Sequence, residues 1–376
     1  MILTAAQVVT PARIHAPGWL LLDGERIVEV GQGAPPRTAD VDLGSATVTP
    51  GFVDLHVHGG GGASFDAGTA DAAATVVDAH LAHGTTSMAA SLVTDTPERM
   101  ASAVRELALL VQDGHLAGVH LEGPWLSPRR SGAHQPGSLA EPAPAAIEAL
   151  LDAGDGAVRM VTLAPELAGG LDAVRLLAGR GVLAAIGHTD ATYDEARAAL
   201  DSGATLGTHL FNAMRPLQHR DPGPVGALLD SPVDVELIAD GVHLHPAVLR
   251  TVFAAKPGQC VLVTDAMAAA GAPDGDYELG PMAIEVRDGI ARLASPDGDG
   301  AIAGSTLTMD AAVRYAVRTA GLPLLDVVRA ASTTPARAWG LADVGALEAG
   351  RRADLVVLDD DLEVVRVMRA GSWVGY

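Results

Sequence analysis

The chain of 376 residues carries 25 Lys+Arg against 46 Asp+Glu, a formal net charge of −21, and is 48% apolar. That balance excludes a disordered chain and argues against nonspecific binding to nucleic acid or to an anionic membrane. A single cysteine, Cys260, rules out an internal disulfide and any thiolate cluster, and a single lysine, Lys256, followed by Pro257, rules out a P-loop. The N-terminal stretch MILTAAQVVTPARIHAPGWL has no basic leader before a long apolar run, and no apolar stretch nears the roughly 20 residues of a membrane span. A cytoplasmic protein is the expectation.

Residues 1–48 read as short β-strands: AAQVV, GWLLLDG and RIVEVGQG, with a hairpin turn at Asp23-Gly24. This segment is too short to bury a core alone. ADLVVLD, LEVVRVMRAG and SWVGY at the other end are strands as well. The two ends, 1–48 and 345–376, are expected to pack as one small β-sandwich domain.

Residues 49–344 have a different texture, with strongly apolar strands alternating with Ala-rich helical stretches. The strands are VTPGFVDLHVHG, TTSMAASLV, AGVHLEG, VRMVTLAP, VLAAIGHT, TLGTHLFN, VELIAD and QCVLVTDA. The intervening segments include TADAAATVVDAHLAHG, TPERMASAVRELALLVQDG, GGLDAVRLLAGRG, TYDEARAALDSG and HPAVLRTVFAAK. Doubly buried strands alternating with helices predict the α/β class, and about eight units predict a (β/α)8 TIM-like barrel. Long loops fall at 126–144, 214–226 and 269–282, where barrel active sites are built. Gly59 to Gly62 read as a flexible turn.

The polar residues at the strand ends are the informative ones. His56 and His58, two apart in FVDLHVHG, share a strand face with Asp54. Glu122, His188, His209 and Asp265 end four further apolar runs. Any one alone has a structural explanation, such as a core histidine or a helix cap. Together at one barrel mouth they read as a metal site. Its all-nitrogen and oxygen ligand set suits Zn, with Mn, Fe or Co as alternatives. One or two ions could be held. A pair about 3.5–4 Å apart needs a bridging group, and with no strand lysine Glu122 is the natural one. His120 is expected behind the ligands, while His80 and His83 are expected to complement a helix dipole. His15, His115 and His219 are expected in loops or on the surface, and His245 in a structural role. His134 and His243 lie where substrate can reach. A cation there acidifies water and, with a nearby histidine, polarises a carbonyl, and Asp265 is the candidate general base and acid. These parts suit hydrolysis of an amide or other C–N bond.

PGFVDLHVHG opening a barrel flanked by terminal β segments resembles the amidohydrolase superfamily. HLEGPW, IGHTDA, THLFNAM, ADGVHLHP, LVTDAM and AGSTLTM, in this order, resemble its N-acetylglucosamine-6-phosphate deacetylase family. The resemblance implies that Glu122, His188 and His209 hold one metal, that His56 and His58 contribute to a second, and that Asp265 is the acid/base. It further implies that Asn212 and Ala213 contact substrate, that Arg220 and His243 bind a phosphate, and that Ala133 and His134 border the sugar and its acetamide. Ile302, Ala303 and Gly304 would line the pocket, and Arg220 would reach across a homodimer interface. A different amidohydrolase and a noncatalytic sugar-phosphate-binding barrel remain as alternatives.

Overall fold

The computed structural model describes residues 1–297 and 299–375. Both chain ends build β structure. Thr47–Pro50 pairs antiparallel with Leu355–Leu358 at the centre of a six-stranded sheet, which Val364–Arg369 and Ser372–Trp373 extend on one side and Gln7–Val9 and Ile14–His15 on the other. A four-stranded sheet of Arg26–Gln32, Gly18–Asp23, Ile2–Ala5 and Val41–Asp42 faces it. Leu3, Leu20, Ile27, Val48, Leu355 and Met368 are buried between the sheets. Neither end could bury these side chains alone, which is why strands more than 300 residues apart pair. Gly24 turns the hairpin between Gly18–Asp23 and Arg26–Gln32 with φ 53°. His15 is buried in this domain, not superficial.

Eight parallel strands form the barrel in chain order: β1 (Phe52–Asp54), β2 (Thr85–Leu92), β3 (Gly118–Glu122), β4 (Val158–Leu163), β5 (Leu183–Ile186), β6 (Leu206–Gly207), β7 (Asp234–Ile238) and β8 (Cys260–Val263). The sheet closes through backbone bonds beyond the formal strand ends. Asp265 N donates to His56 O and His58 N to Ala266 O, both at 2.8 Å. Thr264 Oγ1 adds a bond to Asp54 Oδ2 at 2.6 Å. The α/β barrel with an added terminal β layer therefore stands as expected.

The connecting helices are α1 (Ala70–Ala82), α2 (Pro97–Gln112), α3 (Pro144–Ala153), α4 (Gly170–Gly179), α5 (Tyr193–Asp201), α6 (Gly223–Leu229) and α7 (Pro246–Ala255). Thr69, Thr96 and Thr192 cap α1, α2 and α5, Thr192 forming a reciprocal box with Glu195. Met309–Arg314, Leu324–Val328 and Thr334–Ala338 are also helical, and the sequence reading did not name them.

Three loop expectations need correction. α6 begins inside the 214–226 segment. Residues within 269–282 start a three-stranded antiparallel flap, Gly275–Leu279, Met282–Arg287 and Ile290–Leu293, which buries Leu279, Ile284 and Val286 against Val93 and Met267. Gly59–Gly60 is not a loose turn. It pairs with Ala63–Ser64, and a Cβ on Gly59 would lie 2.8 Å from Ala268 N. No helix among the described residues is long and apolar enough to cross a membrane.

A candidate metal centre at the barrel mouth

Glu122 closes β3, His56 and His58 follow β1, and His188, His209 and Asp265 each come two residues after β5, β6 and β8. The last three have φ of 46°, 26° and 50°. Such left-handed turns cost a non-glycine residue about 1–2 kcal/mol each, and here they follow three strands at the residues that turn into the cluster. All six residues are buried, none more than 7% exposed.

Their polar atoms converge. Glu122 Oε1 lies 3.1 Å from His188 Nε2, 3.0 Å from His209 Nε2 and 3.5 Å from His56 Nε2. Glu122 Oε2 lies 3.2 Å from His58 Nε2. Asp265 Oδ1 is 3.4 Å from His56 Nε2 and 3.3 Å from His58 Nε2. Donor atoms about 3.3 Å apart match the edges of a tetrahedron whose bonds are about 2.0–2.1 Å long, the dimensions of a zinc site.

Hydrogen-bond partners fix which ring nitrogen faces inward. His188 Nδ1–H donates to Arg130 O at 2.8 Å, and His56 Nδ1–H donates to Glu236 Oε2 at 3.2 Å. Both rings therefore turn a bare Nε2 lone pair to the centre. His134 is the reverse. Its Nδ1 accepts from Thr94 N at 3.2 Å, so its proton sits on Nε2 and donates to Glu122 Oε2 at 3.3 Å. His134 is thus a hydrogen-bond donor beside the cluster and lacks the inward lone pair of a ligand.

The charge balance also fits a cation. Burial opposes charge on His56 and His58, yet the neighbouring carboxylates outweigh it, raising His56 well above its ordinary value and His58 to about 9. Burial likewise opposes ionisation of Glu122 and Asp265, but the surrounding imidazoles hold both carboxyls below the ordinary range. The buried carboxylates demand positive charge at their centre. A divalent cation supplies it while leaving the imidazoles neutral.

A cavity of about 380 Å³ opens above this cluster. A cavity of about 580 Å³ lies elsewhere, lined by Phe253, Leu322 and by Cys260 at the start of β8, and it holds no such cluster.

The residues 47–374 match the model of the amidohydrolase family. The chain belongs to the amidohydrolase family. N-acetylglucosamine-6-phosphate deacetylase of Danio rerio is 38% identical over 351 residues, covering 89% of this chain and 86% of the relative. N-acetylgalactosamine-6-phosphate deacetylase of Escherichia coli O157:H7 is also 38% identical, covering 87% of each. Among solved structures, an Asp-to-Ala variant of N-acetyl-D-glucosamine-6-phosphate deacetylase from Mycobacterium smegmatis, in complex with N-acetyl-D-glucosamine-6-phosphate, superposes with a TM-score of 0.97 at 53% identity, covering 100% of this chain and 99% of that one.

In this amidohydrolase the cavity is lined by His58, Glu122, His188, His209 and Asp265 together with Ala133, His134, Asn212, Ala213, His243, Ile302 and Gly304. Two expected pocket residues lie elsewhere. Ala303 is fully buried and packs among Met267, Leu279 and Ala291 beneath the flap. Arg220 is exposed and outside the cavity formed by one chain. Nor does Arg220 pair with Asp221, whose carboxylate is held by Arg215 at 2.5 Å.

Other histidines take supporting places. His120 bridges Ser91 Oγ at 2.9 Å and Thr162 Oγ1 at 2.8 Å, behind His56. His80 sits in the last turn of α1, but burial pushes its pKa down to about 4, so a neutral ring stands where a dipole partner is expected. His83 pairs with Asp310 at 3.2 Å, and His245 caps α7. Cys260 is buried, its thiol pushed up to about 12 mainly by burial. Lys256 is buried and donates to Leu228 O at 3.3 Å. Sequence reasoning passed over Glu236, although one carboxylate inside the apolar run VELIAD was the signal. It also passed over Arg129 and Arg130, which line the cavity from the loop carrying His134.

Proposed function

We propose that the protein hydrolyses the acetamide of N-acetyl-D-glucosamine 6-phosphate, giving D-glucosamine 6-phosphate and acetate. The observation that carries this is the Asp265 carboxylate held 3.3 Å from His58 Nε2 on the floor of a cavity whose other wall bears Asn212, Ala213 and His243.

His56, His58, Glu122, His188 and His209 would hold the metal, which we take to be Zn, as one ion or as two sharing Glu122, with Mn, Fe or Co able to replace it. When bound, such a cation acidifies water and polarises a carbonyl. Asp265 accepts the proton of the attacking water and returns it to the amine nitrogen as the C–N bond breaks. The water oxygen stays on the acyl carbon and leaves with acetate. His134 Nε2–H can donate to the acyl oxygen as negative charge builds there. His243, bonded to Asp240 at 2.6 Å, is raised above its ordinary pKa because that carboxylate outweighs burial. A protonated His243 suits a phosphate.

A homodimer in which Arg220 enters the neighbouring site would explain why this exposed arginine misses its own cavity. We place the protein in the cytoplasm with its sugar phosphate.

The test is acetate release from N-acetylglucosamine 6-phosphate by metal-loaded protein. The galactosamine epimer forms a parallel arm, because relatives named for each sugar are equally identical, and N-acetylglucosamine is the control. Equal turnover of the unphosphorylated sugar would remove the phosphate role. No acetate from either sugar phosphate would remove the reaction.

A further inference from the structure

The loop after β3 leaves two adjacent guanidinium groups at the cavity mouth with one carboxylate between them. Arg130 binds Asp190 Oδ1 through Nε at 2.9 Å and Nη2 at 2.8 Å. Arg129 reaches Asp190 Oδ2 only through Nη1, at 3.2 Å. Asp190 is itself anchored, since its N–H donates to Glu166 Oε1 at 2.7 Å. Its carboxyl is held below the ordinary range chiefly by Arg130.

Two guanidinium groups thus share the one Asp190 carboxylate at the mouth of the cavity, on a chain whose net charge is −21. The two differ in freedom. The Arg130 side chain is 31% exposed and doubly bonded, whereas that of Arg129 is 82% exposed with its single bond. The loop backbone is fixed to His188 just before the pair and at Arg130 itself. Ser127 N donates to His188 O at 2.9 Å, and Arg130 O accepts from His188 Nδ1.

We infer that Arg129 is a phosphate-recognising residue contributed by the same chain as the metal cluster, and that the Arg130–Asp190 pair is the fixed post from which it swings. This rests on the reading above that the substrate is a sugar phosphate. An arginine with one loose bond to a carboxylate can exchange it for a phosphate oxygen. Arg130 keeps Asp190 occupied while that happens, so the exchange strands no carboxylate.

The experiment measures binding of D-glucose 6-phosphate and of D-glucose to the metal-loaded protein by calorimetry. Neither sugar has an acetamide, so the readout does not depend on turnover. In Arg129→Gln the affinity for glucose 6-phosphate falls roughly fivefold to tenfold while the fold retains its melting temperature. Arg129→Lys recovers part of that loss. Unchanged affinity in Arg129→Gln overturns the inference, as does a wild-type protein that binds the two sugars alike. A protein that prefers glucose 6-phosphate through Arg129 yet releases no acetate from the sugar phosphates keeps the inference and rejects the reaction.

Discussion

Glu236 on β7 holds His56 from behind: Glu236 Oε2 accepts from His56 Nδ1 at 3.2 Å. The same oxygen accepts from the backbone N–H of His209 at 3.3 Å, so one buried carboxylate orients a residue after β1 and another after β6. A carboxylate behind an imidazole fixes its tautomer and strengthens it as a ligand. Glu236→Gln is expected to weaken metal binding about 10- to 100-fold. Competition with a fluorescent chelator measures it, and unaltered affinity would rule out this support role.

Metal removal should show in stability as well as in activity. The folded site gathers ligands from several strands that the unfolded chain cannot assemble. With free metal at a hundredfold excess over its Kd, the holoprotein gains about 2.7 kcal/mol. Dialysis against a chelator should lower the melting temperature and abolish acetate release, and Zn should restore both. A melting curve indifferent to chelation would contradict the site.

Asp265→Asn separates base from ligand. If the carboxylate moves the proton, acetate release falls about 10²- to 10⁴-fold while bound metal per chain is unchanged. Loss of metal alongside activity would make Asp265 a ligand instead. Mass spectrometry of the purified protein and an acetate assay decide between the two.

His80 sets a pH window away from the chemistry. It donates to Gly59 O at 2.9 Å, and burial pushes its pKa down to about 4. The unfolded chain therefore takes up the proton first. The stabilisation from keeping this ring neutral is complete above pH 6.5 and is lost as pH falls towards 4, amounting to about 3 kcal/mol. His80→Gln keeps a donor without titrating. Its urea midpoint should fall less between pH 6.5 and 4.5 than that of the wild type, and equal slopes would refute the assignment.

Gly304 couples the flap side of the pocket to Asp265, the proposed acid/base. Its φ is +59°, and a Cβ there would sit 2.9 Å from Asp265 O. Gly304→Ala should destabilise the fold by about 1–2 kcal/mol. It should also lower kcat more than it raises KM, because it shifts the strand end that carries Asp265. Denaturation curves and steady-state kinetics test both parts.

Local sequence was enough for the barrel and for the six strand-end groups, because buried strands write themselves as apolar runs and a His, Glu or Asp ending such a run stands out. It was also enough for the pairing of the two chain ends, since neither could bury its strands alone. What only the tertiary structure decided depended on neighbours distant in sequence. Thr94 determines that His134 points a proton rather than a lone pair at Glu122. Asp190 ties down the loop of Arg130 across 60 residues. The flap covers Ala303, which the family resemblance placed in the pocket. A ring's tautomer, a loop's anchor and a residue's cover are each set by contacts between strands, and no periodicity along the chain records them.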